Sequence, residues 1–341
     1  MRVLVTGAEG YIGAQLGPLL LERGHEVMGL DTGFFRDGWF YSPKSARFPP
    51  CVTKDVRRIG EEDLGGFDAL VHMAELSNDP LGQLSPAVTY EINHMGTVEL
   101  ARKCKKAGIP RFVYTSSCSV YGAGSNEYKT EESEPNPQTV YAKCKVLVER
   151  DLSGMADDDF SPTILRNATA YGPSPRMRFD LVLNNLCGWA WTTKQIRMTS
   201  DGTPWRPLVH VLDICEAIAC SLEAPREAVH NQIFNVGDNK ENYRIKEIAQ
   251  IVSRAFPGCE LTMGTDRSDT RSYRVSFDKI SARLPGFRCR RSASIGAAEL
   301  RDLFERIGMP RETFECRAFT RLRQLEFLVE KGQIDGHFYW R

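Results

Sequence analysis

The chain has no surplus of charge of either sign. Its 44 Lys and Arg residues are matched by 44 Asp and Glu over 341 residues. A neutral protein exerts no bulk electrostatic pull on nucleic acid or on an anionic membrane surface. Nor is there an uninterrupted apolar run of about 20 residues, the length a bilayer-spanning helix needs. Glycines, Glu9 and Gln15 break the apolar N-terminal segments, and no small-residue cleavage site follows a charged start. A secretory leader is therefore not expected. Ten cysteines are present, but no CxxC pair and no Cys/His group at zinc-ligand spacing, so no metal centre is expected. Cys104, Cys144, Cys215 and Cys220 fall within helical patterns and read as small core residues. A reducing, cytoplasmic setting fits this usage. Internal repeats and low-complexity tracts are also lacking.

What the sequence does hold is alternation. Short β-branched runs at 3–6, 26–31, 51–56, 69–73, 111–116 and 163–169 read as strands. They are apolar almost throughout, as strands covered on both faces must be. Between them lie helical patterns at 12–23, 86–107 and 140–152, the first two closed by Gly24 and Gly108. Repeated β-α-β units predict an α/β fold with a doubly wound parallel sheet. After Gly172-Pro173 the regularity falls, and helices are expected at 179–192, 211–223, 246–256, 297–307 and 322–331. The expected organisation is a dinucleotide-binding domain over 1–175, rejoined by part of 208–236. A smaller, mainly helical substrate lobe with a helical tail follows over 176–341.

Between the first strand and first helix stands Thr6-Gly7-x-x-Gly10-x-x-Gly13. Glycines there permit a tight turn and close approach of a pyrophosphate, which the helix N-terminus favours. Gly7, Gly10, Tyr11, Ile12 and Gly13 are the expected cradle. Asp31 ends the second strand, where a carboxylate holds ribose hydroxyls and repels a 2′-phosphate, favouring NAD over NADP. Arg36 follows within reach and could offset that repulsion, and a turn-capping role for Asp31 is the alternative reading. Asp55, Val56 and Ala74, at the ends of the next two strands, complete the coenzyme candidates.

Tyr141 and Lys145 stand four apart in a helical pattern, so their side chains share one face. A tyrosine is a poor base at its ordinary pKa, about 10. A neighbouring ammonium and a cationic nicotinamide are expected to favour the phenolate and lower that value. The serine-rich segment Thr115–Gly122 closes the fifth strand, at the end where open α/β sheets bind ligands. Ser117 is placed to hydrogen-bond both a substrate hydroxyl and the phenol.

These motifs resemble those of the extended short-chain dehydrogenase/reductase family, the nucleotide-sugar epimerases and dehydratases. The resemblance runs from Met1 to about Leu284. It is carried by Thr6–Gly13, Asp31, His72-Met73-Ala74, Asn93-x-x-Gly96-Thr97, the serine segment and Tyr141–Lys145. It continues through Leu165-Arg166, Tyr171-Gly172-Pro173, Arg206 to Asp213, and Asp269-Thr-Arg271. It implies a Rossmann fold, NAD, a nucleoside-diphosphate sugar and a cytoplasmic homodimer joined through the helices at 86–107 and 140–152. It also implies that Tyr141 is the base, that Lys145 lowers its pKa and holds the nicotinamide ribose, and that Ser117 orients the sugar. Arg206 and Arg271 resemble arginines that hold the diphosphate and nucleoside.

Three departures bear on the reaction. Dehydratases of the family carry Asp-Glu directly after the catalytic Ser/Thr, whereas Cys118 and Ser119 follow Ser117 here. Thr169 stands where many relatives have Asn, with Asn167 two residues earlier, and the Arg206 motif reads Arg-Pro rather than Arg-Asp. Cys118 and Glu75 are further candidates for acid or base, although strand alternation equally allows Cys118 a core position. Ser77, Asn78, Ser119, Asn167 and Asn185 are the remaining substrate-binding candidates. The expected reaction is NAD-dependent epimerisation through a transient keto-sugar, most simply at C4. The alternatives are elimination or C3/C5 inversion using Cys118 or Glu75, a net dehydrogenase or ketoreductase, and a non-catalytic dinucleotide-binding regulator.

Overall fold

A computed structural model describes the chain apart from Lys44, Asn78 and residues 267–270. For residues 124–126 it describes the backbone alone. The Asn78 expectation and the Asp269 part of the motif therefore lie outside the described residues.

Seven parallel strands form the central sheet. Their spatial order is Gln232–Val236, Ser161–Asn167, Arg111–Ser117, Ala69–His72, Arg2–Thr6, Glu26–Asp31 and Cys51–Thr53. The order reverses between Arg2–Thr6 and Ala69–His72, which pair with Val3 opposite Ala69 and Thr6 opposite His72. Crevices at such a switch point are where doubly wound sheets take ligands.

Alternation along the strands divides the apolar side chains between two layers. Val3, Val5, Val71 and Val113 join a core with the helix Val211–Glu223. Leu4, Leu70, Phe112 and Ile164 join another with Leu100 of the helix Thr97–Lys106 and Val148 of the helix Val140–Met155. Coverage on both faces explains why these strands contain so few polar residues.

Several elements differ from expectation. The third strand stops at Thr53, because Asp55 turns its carboxylate back to the Arg57 amide, 2.8 Å, and starts a short turn of helix. The helical run at 86–107 is Pro86–Thr89, a π-helical stretch Tyr90–Gly96 and Thr97–Lys106. The run at 163–169 divides into Ser161–Asn167 and Thr169–Tyr171. The second of these leaves the main sheet for a three-stranded one with Trp205–His210 and Asn242–Arg244. The C-terminal part is helical around Leu183, Ile248, Leu300 and Phe304. Among the described residues no helix is long and apolar enough to cross a membrane, and all ten cysteines are free.

Candidate active site

The strand ends open into a cleft of about 990 Å³ that runs from Gly7 and Asp31 to Tyr141 and on to Arg206 and Arg271. That volume lies at the upper end for small-molecule sites. At its first end the turn is built around its glycines. Gly7 has φ +74°, and a Cβ on Gly13 would stand 2.3 Å from the Gly7 carbonyl oxygen. Only hydrogen fits at position 13, so the helix Gly13–Glu22 begins hard against the turn that lines the cleft. Gly10, Tyr11, Ile12, Asp55, Val56 and Ala74 line the same end.

Asp31 accepts the Gly33 amide at 2.8 Å and the Glu9 amide at 3.1 Å. Burial pushes its carboxyl above the usual range, and those amides oppose the shift. Arg36, the cation within reach of a 2′-phosphate, is paired with Glu9 at 2.9 Å. The glycine turn and the acidic strand end, lining one cleft, fit a dinucleotide.

The middle of the cleft holds Ser117, Tyr141, Lys145 and Glu75 together. Thr139 caps the helix Val140–Met155 by accepting the Ala142 amide at 3.2 Å, which puts Tyr141 in the first turn and Lys145 one turn later. Lys145 donates to the Thr115 carbonyl at 2.5 Å, and its nitrogen lies 5.4 Å from the Tyr141 ring centroid. It is also ion-paired with Glu75, whose other oxygen accepts the Tyr114 hydroxyl at 2.7 Å. Burial is the largest influence and would lower the Lys145 ammonium, but Glu75, Tyr141 and Glu149 together outweigh it and the net direction is upward. Glu75 is itself raised by burial, against the pull of Lys145.

Lys145 lowers the Tyr141 phenol as expected, but the chain's other groups outweigh it and the net direction is upward. Burial lifts the phenol, Glu75 and Asp79 lift it further, and Lys145 and a hydrogen bond from Ser117 only partly compensate. The protein's own groups therefore hold Tyr141 protonated, and additional positive charge is needed to form the phenolate.

Two expectations are corrected. Cys118 belongs to the core, where its thiol donates to the Arg166 carbonyl at 3.1 Å and burial pushes its pKa far up. The chain turns into a short 3₁₀ segment, Cys118–Tyr121, directly after Ser117, and that turn points Cys118 inward. Asn185 does not line the cleft; its amide donates to the Phe179 carbonyl at 2.8 Å and locks the start of its helix. Ser77, Ser119, Asn167, Arg206 and Arg271 do line it. Ser119 Oγ and Asn167 Oδ1 are buried without a hydrogen-bond partner, so two polar atoms stand ready for a ligand. Arg206 donates to the Trp205 carbonyl at 2.8 Å and to the Arg271 carbonyl, while the Arg271 guanidinium is ion-paired with Asp79.

Sequence reasoning missed Asp79, Arg178, Asp180 and Arg321, all in the cleft wall. Arg178 and Asp180 form a forked pair at 2.9 and 3.0 Å. The one available signal was Asp79-Pro80, a helix-starting dipeptide whose carboxylate reaches the Thr139 hydroxyl at 2.5 Å.

Residues 3–237, well over half of the chain, match the model of the NAD dependent epimerase/dehydratase family. A UDP-glucose 4-epimerase of Corynebacterium glutamicum is 29% identical over 266 residues, covering 74% of this chain and 79% of its own length. A UDP-N-acetyl-alpha-D-glucosaminuronate decarboxylase of Bacillus cytotoxicus is 25% identical over 287 residues, with 82% and 84% covered. Among solved structures, MoeE5 in complex with UDP-glucuronic acid and NAD superposes with a TM-score of 0.77. It has 26% identity and covers 90% of this chain and all of its own.

Proposed function

The chain belongs to the NAD dependent epimerase/dehydratase family, and on that premise we propose that it is a nucleotide-sugar epimerase working through a transient keto-sugar. The observation that carries this reading is the convergence of Ser117, Tyr141 and Lys145 midway along one cleft. Beyond them the pair that follows Ser117 supplies no carboxylate. Cys118 is in the core, and Ser119 offers only an unpaired hydroxyl.

The glycine turn, Asp31 and Lys145 would hold NAD, whose chemistry when bound is reversible two-electron oxidation of a carbinol to a ketone. The remaining work falls to the chain's own groups. The Tyr141 phenolate takes the hydroxyl proton as the ketone forms and returns it as the hydroxyl is restored on the other face. Lys145 stabilises the phenolate, and Ser117 orients the reacting oxygen. Arg206 and Arg271 hold the diphosphate by charge-assisted contacts. Ser77, Ser119 and Asn167 position the sugar, and no proton need be drawn from carbon. Similarity to UDP-sugar enzymes supports a UDP-sugar as the first substrate to try.

A second reading adds a carbon acid/base step, and Glu75 and Asp79 on the cleft wall favour it. One experiment separates the two. The NAD-loaded protein is incubated with UDP-, dTDP-, GDP- and CDP-sugars in deuterated water, and the product is read by NMR. A C4 epimer without ring deuterium is expected. Deuterium at C3 or C5 supports the added step, and stoichiometric NADH release with a stable ketone overturns both. We also propose a homodimer through the helices at 86–107 and 140–152, where Met95 is 55% exposed. A monomer in light scattering overturns that proposal.

A further inference from the structure

The segment after Gly308 carries no motif, yet it reaches the cleft. Phe314 and Phe319 pack edge-on against Phe179, at 4.9 and 5.8 Å between centroids. Leu325 and Leu328 enter the core beside the central sheet, and Gln324 donates to the Phe34 carbonyl at 2.9 Å. These contacts fix the helix Arg321–Glu330 and set its first residue into the cleft wall.

Arg321 is 3% exposed. Its guanidinium lies 4.1 Å from the Phe35 ring centroid, and only its backbone amide has a polar partner, Asp180 at 3.4 Å. Among the described residues none accepts a hydrogen bond from the guanidinium. The Arg321 guanidinium nitrogens are not sealed off, so their five donors are open to a ligand in the cleft. The neighbouring carboxylates are committed elsewhere, Asp180 to the fork from Arg178 and Asp31 to two backbone amides. Burial, then the adjacent Arg178, pull the Arg321 pKa down to about 9, so the group stays charged at neutral pH. A fixed cation stacked on an aromatic ring, without an anion of its own, thus faces the cleft beside the acidic residue read as the ribose anchor.

We propose that Arg321 binds phosphate oxygens of the dinucleotide, so that the C-terminal segment completes the coenzyme site. This rests on the reading of the cleft as a dinucleotide site. It gives the tail a role, since docking of the segment and retention of the coenzyme become one event. The shared chemistry is a diphosphate, which the sugar nucleotide also carries. Proximity to Asp31 argues for the coenzyme, because of the arginines proposed for the substrate Arg271 is paired with Asp79 and Arg206 donates to the Arg271 carbonyl.

The test is calorimetric binding of NAD, ADP, adenosine and UDP to the full-length chain and to R321Q and R321K. R321Q should weaken NAD and ADP by about tenfold to a hundredfold, the worth of one or two bonds to a charged group. Adenosine, which has no phosphate, and UDP should bind as before. R321K, which keeps the charge, should recover most of the ADP affinity, showing that the loss is not misfolding. Equal losses for adenosine and ADP, or a loss confined to UDP, would overturn the proposal. Neither result depends on turnover, so a chain that binds NAD normally but epimerises nothing would count against the proposed function alone.

Discussion

The Tyr141 hydroxyl is one atom in a crowded, buried site, and its removal isolates the chemistry from the binding. Y141F keeps the ring against its neighbours and deletes only the base. Turnover is expected to fall by about 10²–10⁴-fold, the usual worth of a positioned general base. NAD affinity should stay within about threefold, since a single neutral hydrogen bond contributes little net. Glu75 offers a subtler test. The rate rises with pH as the phenol loses its proton. Glu75 and Asp79 raise that pKa, while Lys145 and Ser117 lower it and Arg178 adds a nearby positive charge. E75Q removes one negative charge, so the acid limb of the kcat profile should move to lower pH. A move to higher pH would mean that Lys145, also facing Glu149 and His72, had lost its proton instead. Tyr141 and Lys145 were legible in the sequence because helical spacing alone puts them on one face. Asp79 and Arg321 were not, since what defines them lies 192 and 141 residues away, at Arg271 and Asp180.

The turn between the first strand and first helix is set by backbone contacts rather than by side chains. A Cβ on Gly13 would meet the Gly7 oxygen at 2.3 Å and the Ala8 oxygen at 2.6 Å. Carbonyls of a turn cannot rotate away as a flexible side chain can. G13A should therefore cost about 1–3 kcal/mol of stability from overpacking, read as a lower midpoint in denaturant. It should also weaken NAD binding, because the helix must move off the turn that lines this end of the cleft. Wild-type behaviour in both measurements would show that the cradle is less rigid than its contacts indicate. Such an element is visible in sequence, since three glycines at fixed spacing after an apolar run leave few alternatives. The division of the run at 163–169 is not visible. Asn167 ends the strand beside Val236 and Ser117, and two residues later the chain pairs with Trp205–His210 instead. Periodicity within the run contains no record of a change of partner.

The glycine turn is bonded to the segment 172–174 and through it to the helix Val182–Thr193, a junction that would couple the two proposed ligands. Tyr11 lies in the glycine turn, yet its hydroxyl donates to the Gly172 carbonyl at 2.6 Å and accepts from Asn184 at 3.2 Å. Ser174 returns a bond to the Tyr11 carbonyl at 2.8 Å, and Gln15 reaches the Pro173 carbonyl at 2.8 Å. Burial drives the Tyr11 pKa well above its ordinary value, so the hydroxyl remains a donor at any working pH. Asn184 also receives the Gly172 amide at 3.0 Å and donates to the Arg178 carbonyl at 3.0 Å. The glycine turn is thereby linked to the segment that carries Arg178 and Asp180 into the cleft. Y11F would leave the Gly172 carbonyl without this donor and lower stability by about 1–3 kcal/mol. Coupling is reciprocal, so if NAD tightens the binding of a sugar nucleotide through this junction, the nucleotide must tighten NAD by the same factor. Calorimetry of UDP with and without NAD measures that factor. In Y11F it should shrink toward one while each ligand alone binds nearly as before. An unchanged factor would place the link elsewhere, and Arg178 with Asp180 would be the next pair to break.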